Sequence, residues 1–285
     1  MQLLHLMNPV TLGTIFGDML GDRYEHPPSV RTTDINFPLY PEGTRFTDDS
    51  VMFVALQKYL LECRKNGKAD LAAIIRDFFF RYPGRGYGKQ FQEWCKGSDN
   101  TNSFGNGAAM RIAAVAYAAE SRYELEQLVR QTTAVTHTHP LAMENAMVTA
   151  IAVYEAVYGS RKEEIAHEIE KYLAGTGGPM TVIEAPHKYD IFYSKKEPAS
   201  KSFPSVPQAI ACFLYTDSAG MAMRQAVACA HDADTQAAIA GSVALPFYRS
   251  IEREYVQQAP DLSPEFVDII GEFATYFSVP TFTVC

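Results

Sequence analysis

Apolar residues recur at three- and four-residue spacing through most of the chain, which is typical of helices that bury one face. After Asp49, for example, Val51, Val54 and Ala55 fall on the same side of a helix. Alternation of apolar and polar residues, the pattern of a half-buried strand, is scarce. The pattern predicts a largely helical protein, with helices over 9–21, 50–65, 69–82, 107–120, 122–135, 140–158, 161–173, 206–216, 219–231, 234–250 and 263–277.

Glycine and proline interrupt this pattern over one long segment, residues 175–205. We expect an irregular excursion there, with short strands near Val182 and Ile191, because both residue types break helices. Two further irregular stretches cover residues 25–46 and 83–107. Loops of this length in a compact domain usually carry function, so candidate site residues are expected in them.

Length and composition favour one globular domain over residues 1–285. The chain is 47% hydrophobic and 20% charged, which provides ample material for a buried core. Its net charge of −8 and the absence of a long run of Lys or Arg argue against a nucleic-acid partner. Anionic small molecules remain compatible with this charge, because metal ions or helix N-termini can supply local positive potential.

The five cysteines are widely spaced and form no Cys-x-x-Cys pair, which favours reduced thiols. Residues 1–17 lack a basic region and run directly into Asp18, so we expect neither a signal peptide nor a membrane span. We therefore expect a cytoplasmic protein, and we expect it to be a monomer.

Two short acidic clusters each stand immediately before a predicted helix: Thr47-Asp48-Asp49-Ser50 and His231-Asp232-Ala233-Asp234-Thr235. Helix capping explains either cluster taken alone, since Thr, Asp and Ser are favoured N-cap residues. A cap needs one oxygen, whereas the two clusters together offer four carboxylates and two threonine hydroxyls. Such all-oxygen sets suit hard divalent cations, Mg²⁺ or Mn²⁺.

Helical geometry bears on the number of cations. Adjacent side chains such as Asp48 and Asp49 point about 100° apart in a helix, so they serve two neighbouring ions more readily than one. Asp232 and Asp234 can both face the same site only if the chain there is not yet helical. We therefore expect two cations and a loop that enters its helix at about Thr235.

Glycine-rich segments supply candidate substrate contacts. Ser103-Phe104-Gly105-Asn106-Gly107 precedes an Ala-rich run, and such a turn before a helix either binds a phosphate or is only a turn. Phe104 is a candidate for stacking on a base. Gly84-Arg85-Gly86-Tyr87-Gly88 is a second such loop, in which Tyr87 and Gly88 are candidate contacts.

Two other features complete the candidate set. Thr136-His137-Thr138-His139 places two histidines on one side of an extended segment, where structural or ligand-donor roles fit better than a metal site. Glu25 stands at the start of the first long loop, where a carboxylate can act as an acid or base.

Taken in order, these motifs resemble the ADP-ribosylglycohydrolase family. The motifs are GDMLGDRYE at 17–25, RFTDDSVM at 45–52, GRGYG at 84–88, NSFGNGAAMR at 102–111, THTHP at 136–140, SVPQAI at 205–210 and DADTQAAIAG at 232–241. The Asp pair and the later DxDT motif are the most specific of them. The resemblance implies a single compact all-α domain of that family's type.

The resemblance also implies roles for individual residues. It implies a dinuclear Mg²⁺ or Mn²⁺ centre held by Thr47, Asp48, Asp49, Asp232, Asp234 and Thr235. Ser103, Phe104, Gly105 and Asn106 would cradle the phosphates and adenosine, and His137 would lie near the diphosphate. Glu25 would lie on a gating loop near the scissile bond. The candidate catalytic residues are thus Glu25, Asp48, Asp49 and Asp234.

The expected reaction is hydrolysis of the glycosidic bond between ADP-ribose and a modified protein side chain or small compound, with attack of a positioned water at the anomeric carbon. Two departures from the family pattern are visible. Ala230 and His231 replace two glycines before the DxDT motif, and Pro246 predicts a kink or early end in the last motif helix. His231 motivates one alternative, a non-catalytic ADP-ribose-binding protein, and the carboxylates allow another, a metal-dependent nucleotide phosphohydrolase.

Overall fold

The structure, a computed structural model, describes residues 8–25, 32–176, 183–193 and 200–285. Its α-helices are α1 (Leu12–Glu25), α2 (Asp48–Asn66), α3 (Leu71–Arg81), α4 (Lys89–Cys95), α5 (Ala113–Ala118), α6 (Arg122–Ala134), α7 (Pro140–Tyr158), α8 (Lys162–Thr176), α9 (Ser202–Leu214), α10 (Ala219–Cys229), α11 (Ala233–Tyr248), α12 (Arg253–Gln257) and α13 (Pro264–Tyr276). Short 3₁₀ helices cover Asn106–Ala108 and Pro186–Phe192. Two-residue strands β1 (Ser250–Ile251) and β2 (Thr283–Val284) pair in parallel.

Polar caps fix where several helices begin. The side chains of Thr47, Ser121, Ser218 and Ser263 each accept a hydrogen bond from a backbone N–H in the first turn of α2, α6, α10 and α13 respectively. At the other end, Gly67 closes α2 in the left-handed conformation. The all-α fold predicted from the sequence is therefore confirmed, with most helices close to their predicted bounds.

Helix α11 forms the centre of the molecule and packs against α1, α7, α9 and α10. Its contact with α1 is unusually close. A Cβ added to Gly17 would lie 2.0 Å from the Ala237 carbonyl oxygen, and one added to Gly21 would lie 2.3 Å from the Asp234 nitrogen. Glycine is therefore required on this face of α1, and its absence of a side chain allows α1 to lie against the start of α11.

Three local predictions are wrong. The helix predicted over 107–120 is an α-helix only from Ala113 to Ala118, preceded by the 3₁₀ turn and further turns. The strand predicted near Ile191 is part of a 3₁₀ helix that begins with proline, and Val182 lies outside the described residues. Helix α4 falls inside a stretch predicted to be irregular.

Pro246 lies inside α11, two residues before its end at Tyr248. Proline removes one backbone hydrogen bond, which a helix tolerates best near its end. Among the described residues, none of the helices combines the length and hydrophobicity needed to cross a bilayer.

Candidate active site

The two acidic clusters lie together in the folded chain. Asp48 and Asp49 are in the first turn of α2, and Asp232 and Asp234 flank the first residue of α11. Thr235 Oγ1 lies 3.2 Å from Asp49 Oδ2, which joins the two clusters directly. The convergence predicted from the sequence is thus present in the structure.

Two groups of three carboxylates have the spacing of a metal site. One oxygen each from Asp18, Asp49 and Asp234 lies within 4.8 Å of the others, and the same holds for Glu25, Asp232 and Asp234. Asp234 belongs to both groups and so lies between them. Either group could hold a metal ion, and adjacent placement suits neighbouring ions.

Asp18 is a member of this site that the sequence interpretation missed. It lies in α1, is fully buried, and accepts hydrogen bonds from Thr47 N at 2.9 Å, Thr47 Oγ1 at 2.6 Å, Ser50 N at 3.1 Å and Ser50 Oγ. These donors attach α1 to the start of α2. Asp18 falls within the motif at 17–25, and the available signal was a charged residue in the buried, otherwise uncharged segment Leu12 to Gly21 of α1.

Burial and mutual repulsion dominate the electrostatics of the cluster. Burial raises the pKa of Asp48, Asp49 and Asp234 well above the usual value, and neighbouring carboxylates raise it further. Burial also raises the pKa of Asp18 to about 6, although its hydrogen bonds from Ser50 and Thr47 oppose this. Asp49 Oδ1 is buried without a hydrogen-bond partner among the described residues. Divalent cations fit such a donor set, because they neutralise the negative charge of the carboxylates and give Asp49 Oδ1 a partner to coordinate.

The side chain of Gln236 holds the loop that carries Asp232. Gln236 Oε1 accepts hydrogen bonds from the backbone N–H of His231 at 3.1 Å and of Asp232 at 3.4 Å. Asp232 is the N-cap residue of α11, but its side chain makes no capping bond. Asp232 precedes the helix, as predicted for its carboxylate to face the site, although the helix begins at Ala233 rather than Thr235.

A cavity of about 470 Å³ opens above these carboxylates. The predicted site residues on its wall are Glu25, Asp48, Gly88, Ser103, Phe104, Gly105, Asn106, His137, Asp232, Asp234 and Thr235. Thr47 and Asp49 lie beneath this wall, both buried, and Thr47 Oγ1 donates to Asp18. One cavity therefore joins the acidic cluster to the glycine-rich loop.

The expectation of a phosphate site at a helix N-terminus needs correction, because α5 begins only at Ala113. Two backbone N–H groups of this loop already donate hydrogen bonds within the protein. The N–H of Gly105 donates to Ser103 Oγ at 3.2 Å, and the N–H of Asn106 donates to the Ser200 carbonyl oxygen at 2.8 Å. The Asn106 side chain instead donates to Asp232 Oδ2 at 2.7 Å. Asn106 thus links the loop to the acidic cluster.

Tyr87, a predicted substrate contact, is packed in the core and is not among the described residues that line the cavity. The Tyr87 side chain is only 6% exposed and packs on Phe79 and Phe91. Its hydroxyl donates a hydrogen bond to the backbone carbonyl oxygen of Tyr82 at 2.9 Å. The glycines on either side of Tyr87 line the cavity instead. Gly86 has φ +98°, and an added Cβ would lie 3.1 Å from Asp48 Oδ1, so glycine is needed there.

The two histidines of the 136–140 motif diverge. His137 is buried on the cavity wall, whereas His139 caps α7 through its Nδ1, which accepts from Leu141 N at 3.2 Å. His231 stacks on Tyr193 with ring centroids 3.7 Å apart and is not among the described residues that line the cavity. Its ring therefore packs beside the acidic loop rather than narrowing the cavity.

The chain is similar to known proteins in both sequence and fold. A family model described as ADP-ribosylglycohydrolase matches residues 9–259. The chain is 25% identical to the human ADP-ribosylhydrolase ARH3 over 83% of each protein, and 24% identical to the zebrafish (Danio rerio) ADP-ribosylhydrolase ARH3 over 90% of this chain and 89% of the relative. A solved structure titled "ADP-ribosylglycohydrolase-related protein complex" has the same fold, with a TM-score of 0.70, 24% identity and coverage of 94% of this chain and 96% of its own.

Proposed function

The chain belongs to the ADP-ribosylglycohydrolase family of hydrolases, and on that premise we propose that it cleaves the glycosidic bond between ADP-ribose and an acceptor with the help of two divalent cations, Mg²⁺ or Mn²⁺. The acceptor is a modified protein side chain or the leaving group of a small ADP-ribosyl compound. One observation carries the proposal: carboxylates from α1, α2 and α11 converge at one end of the cavity that the glycine-rich loop and His137 also line.

The residues that would hold the cations are Thr47, Asp48, Asp49, Asp232, Asp234 and Thr235. The buried oxygen of Asp49 that lacks a partner among the described residues supports this assignment. Burial and the repulsion of neighbouring carboxylates, which together raise the pKa of Asp49, support it as well. When bound, divalent cations would neutralise this charge, hold ribose hydroxyls and lower the pKa of a coordinated water. Asp48, Asp49 and Asp234 act in catalysis as ligands in this proposal, not as covalent nucleophiles.

Glu25 is the proposed proton-transfer residue. It lines the cavity at the end of α1, and one of its oxygens lies within 4.8 Å of oxygens of Asp232 and Asp234. From there its carboxylate would take a proton from the attacking water or give one to the leaving group. Departure of the acceptor develops positive charge on the ribose ring, so the transition state has oxocarbenium character.

The rest of the cavity suits the ADP moiety. Phe104 is 38% exposed at the cavity wall, where its ring is available to stack on the adenine. Ser103, Gly105, Asn106 and Gly88 would line the path of the phosphates and ribose, with His137 beside the diphosphate. We propose a cytoplasmic monomer with one domain, acting without a nucleic-acid partner.

A release assay over a panel of ADP-ribosylated acceptors tests the proposal. We expect intact ADP-ribose as the product from at least one acceptor class in Mg²⁺ or Mn²⁺, and none after chelation. AMP or free phosphate as the product would instead indicate a phosphohydrolase. Binding of ADP-ribose without release from any acceptor would contradict the proposed turnover.

A further inference from the structure

A buried arginine that the proposed function does not use lies beside the cavity. Arg111 is 1% exposed and lines the cavity wall between the 3₁₀ turn and α5. Its Nη2 donates to Thr136 Oγ1 at 2.6 Å and, more weakly, to the Thr132 carbonyl oxygen at 3.4 Å. Among the described residues, Nη1 has no partner. Burial lowers the pKa of Arg111 only to about 10, so the group stays charged near neutral pH.

A buried cation with only neutral partners is costly unless an anion joins it. Among the described residues, the hydrogen-bond partners of Arg111 are a hydroxyl and a carbonyl, and neither cancels its charge. Carboxylates of the acidic cluster line the same cavity, where cations would neutralise them. The uncancelled positive charge of Arg111 on the wall of this cavity favours an anionic group of a substrate.

Thr136 connects Arg111 to His137 through hydrogen bonds of its hydroxyl group. The guanidinium can only donate, so Thr136 Oγ1 accepts from it. Thr136 Oγ1 also lies 2.7 Å from His137 Nδ1. The arrangement that gives the threonine hydroxyl hydrogen an acceptor is donation to Nδ1, which leaves the ring proton on Nε2. In the opposite tautomer, the buried hydroxyl hydrogen of Thr136 would have no acceptor within the part of the chain that the structure describes.

The surroundings of His137 hold the ring neutral and direct Nε2 toward the glycine-rich loop. Only 4% of His137 is exposed, and burial together with the charge of Arg111 lowers its pKa to about 3. A Cβ added to Gly107 would lie 3.4 Å from Nε2, and one added to Gly105 would lie 3.8 Å from it. The absence of side chains at these glycines leaves Nε2 facing an open part of the loop.

We propose that Arg111 and Thr136 are positioning residues that fix His137 as the Nε2–H tautomer, so that this N–H donates to a phosphate oxygen of the substrate. Arg111 adds a buried positive charge behind this donor. Specificity for a diphosphate then comes from a chain of three side chains rather than from a helix N-terminus. This inference rests on the proposed function for the identity of the anion, but the tautomer itself does not depend on it.

The tautomer of His137 can be determined without a substrate from long-range ¹H–¹⁵N spectra of the full chain, labelled with ¹⁵N in its histidines and kept in Mg²⁺. The His137→Gln variant identifies which signals belong to His137. We expect one neutral form, protonated on Nε2, in the wild type and in Thr136→Ser. Thr136→Val has the same shape as threonine but no hydroxyl, and we expect it to show a mixture of tautomers. A wild-type ring protonated on Nδ1, or on both nitrogens at neutral pH, would overturn the inference.

Measurements of ADP-ribose binding then test whether the Nε2–H of His137 contacts the phosphates. Loss of a hydrogen bond to a charged group should weaken ADP-ribose binding to Thr136→Val by about 10-fold, and Thr136→Ser should restore it to within about threefold. Adenosine, which lacks phosphates, should bind both variants as it binds the wild type. An equal loss for adenosine would indicate a merely structural role and would overturn the inference. If the wild type binds no ADP-ribose, the proposed function fails, whereas the ligand-free tautomer still decides the role of Thr136.

Discussion

Thr235 Oγ1 donates a hydrogen bond to Asp49 Oδ2 over 3.2 Å, and 186 positions of sequence separate the two residues. Each residue is in the first turn of its own helix, α11 and α2. Helix α1 brings the third component, Asp18, because its glycines allow it to pack directly on α11. The acidic site is therefore a product of helix packing, and disturbing that packing should disturb the site.

The carboxyl cluster should make the metal-free protein less stable as pH rises. Burial raises the pKa of Asp18 from 3.8 to about 6 in the folded protein, and burial with the neighbouring carboxylates also raises the pKa of Asp48, Asp49 and Asp234. The folded state then binds more protons than the unfolded chain, so the free energy of unfolding falls as pH rises from about 4 through 6. In chelator, we expect a lower Tm at about pH 7.5 than at about pH 5.

Cations should reverse this trend. Saturating Mg²⁺ or Mn²⁺ is expected to stabilise the fold by about 3 kcal/mol, or roughly 5 °C or more in Tm. The gain should be larger at about pH 7.5 than at about pH 5, since protonated carboxyls bind cations poorly. Thermal unfolding over a pH series with each cation and with chelator measures both effects. An equal Tm in cation and chelator at every pH would contradict this prediction.

Replacement of Asp48 and Asp49 by asparagine separates stability from function. The double variant loses two repelling buried charges, so without metal we expect it to be at least as stable as the wild type. It should nevertheless show no ADP-ribose release and no rise in Tm with Mg²⁺. Asp34→Asn together with Asp99→Asn, at exposed positions, is the matched control and should retain both. Retained turnover in the Asp48 and Asp49 variant would rule out this ligand assignment.

Gly17→Ala tests the close contact of α1 with α11. The added Cβ would lie 2.0 Å from the Ala237 carbonyl oxygen, so the helices must separate. We expect a loss of about 1–3 kcal/mol in the free energy of unfolding, together with weaker cation binding, because Asp18 moves with α1. Gly175→Ala in α8 meets no atom within 4 Å and should be neutral or gain up to about 1 kcal/mol. Equal stability of the two variants in urea would contradict the account of the packing.

Glu25→Gln tests the proposed proton transfer. The amide keeps the size of the side chain but cannot exchange a proton, so we expect kcat to fall by about 100-fold to 10,000-fold. Affinity for ADP-ribose should change by less than about threefold, since the cavity is otherwise intact. Glu42→Gln, an exposed position in the following loop, serves as the control. A kcat near that of the wild type would assign the proton transfer to another group.

The features predicted from the sequence are those encoded locally. Thr47 marks the start of α2 because side-chain capping is a short-range signal, and the surplus of carboxylates in both acidic clusters indicated a metal site. Prediction failed where packing decides: Ala109 to Ile112 have helical composition, yet they form turns beside the cavity. The strand predicted near Ile191 is instead a 3₁₀ helix that begins at Pro186.

The roles of Asp18 and Arg111 were not visible in the sequence for a related reason. Each is a charged residue within an apolar segment, and its partners come from distant positions. Asp18 is held by Thr47 and Ser50, and Arg111 by Thr136. A charged residue at a position that the periodicity assigns to the core is the signal that would have identified both.

The most direct test of the central claim is anomalous diffraction at the manganese absorption edge from crystals grown with Mn²⁺. Two adjacent peaks are expected among Asp48, Asp49, Asp232 and Asp234, with oxygen ligands from both acidic clusters. No peak there at saturating Mn²⁺, or a single ion bound by one cluster alone, would contradict the claim that α2 and α11 hold a shared pair of cations.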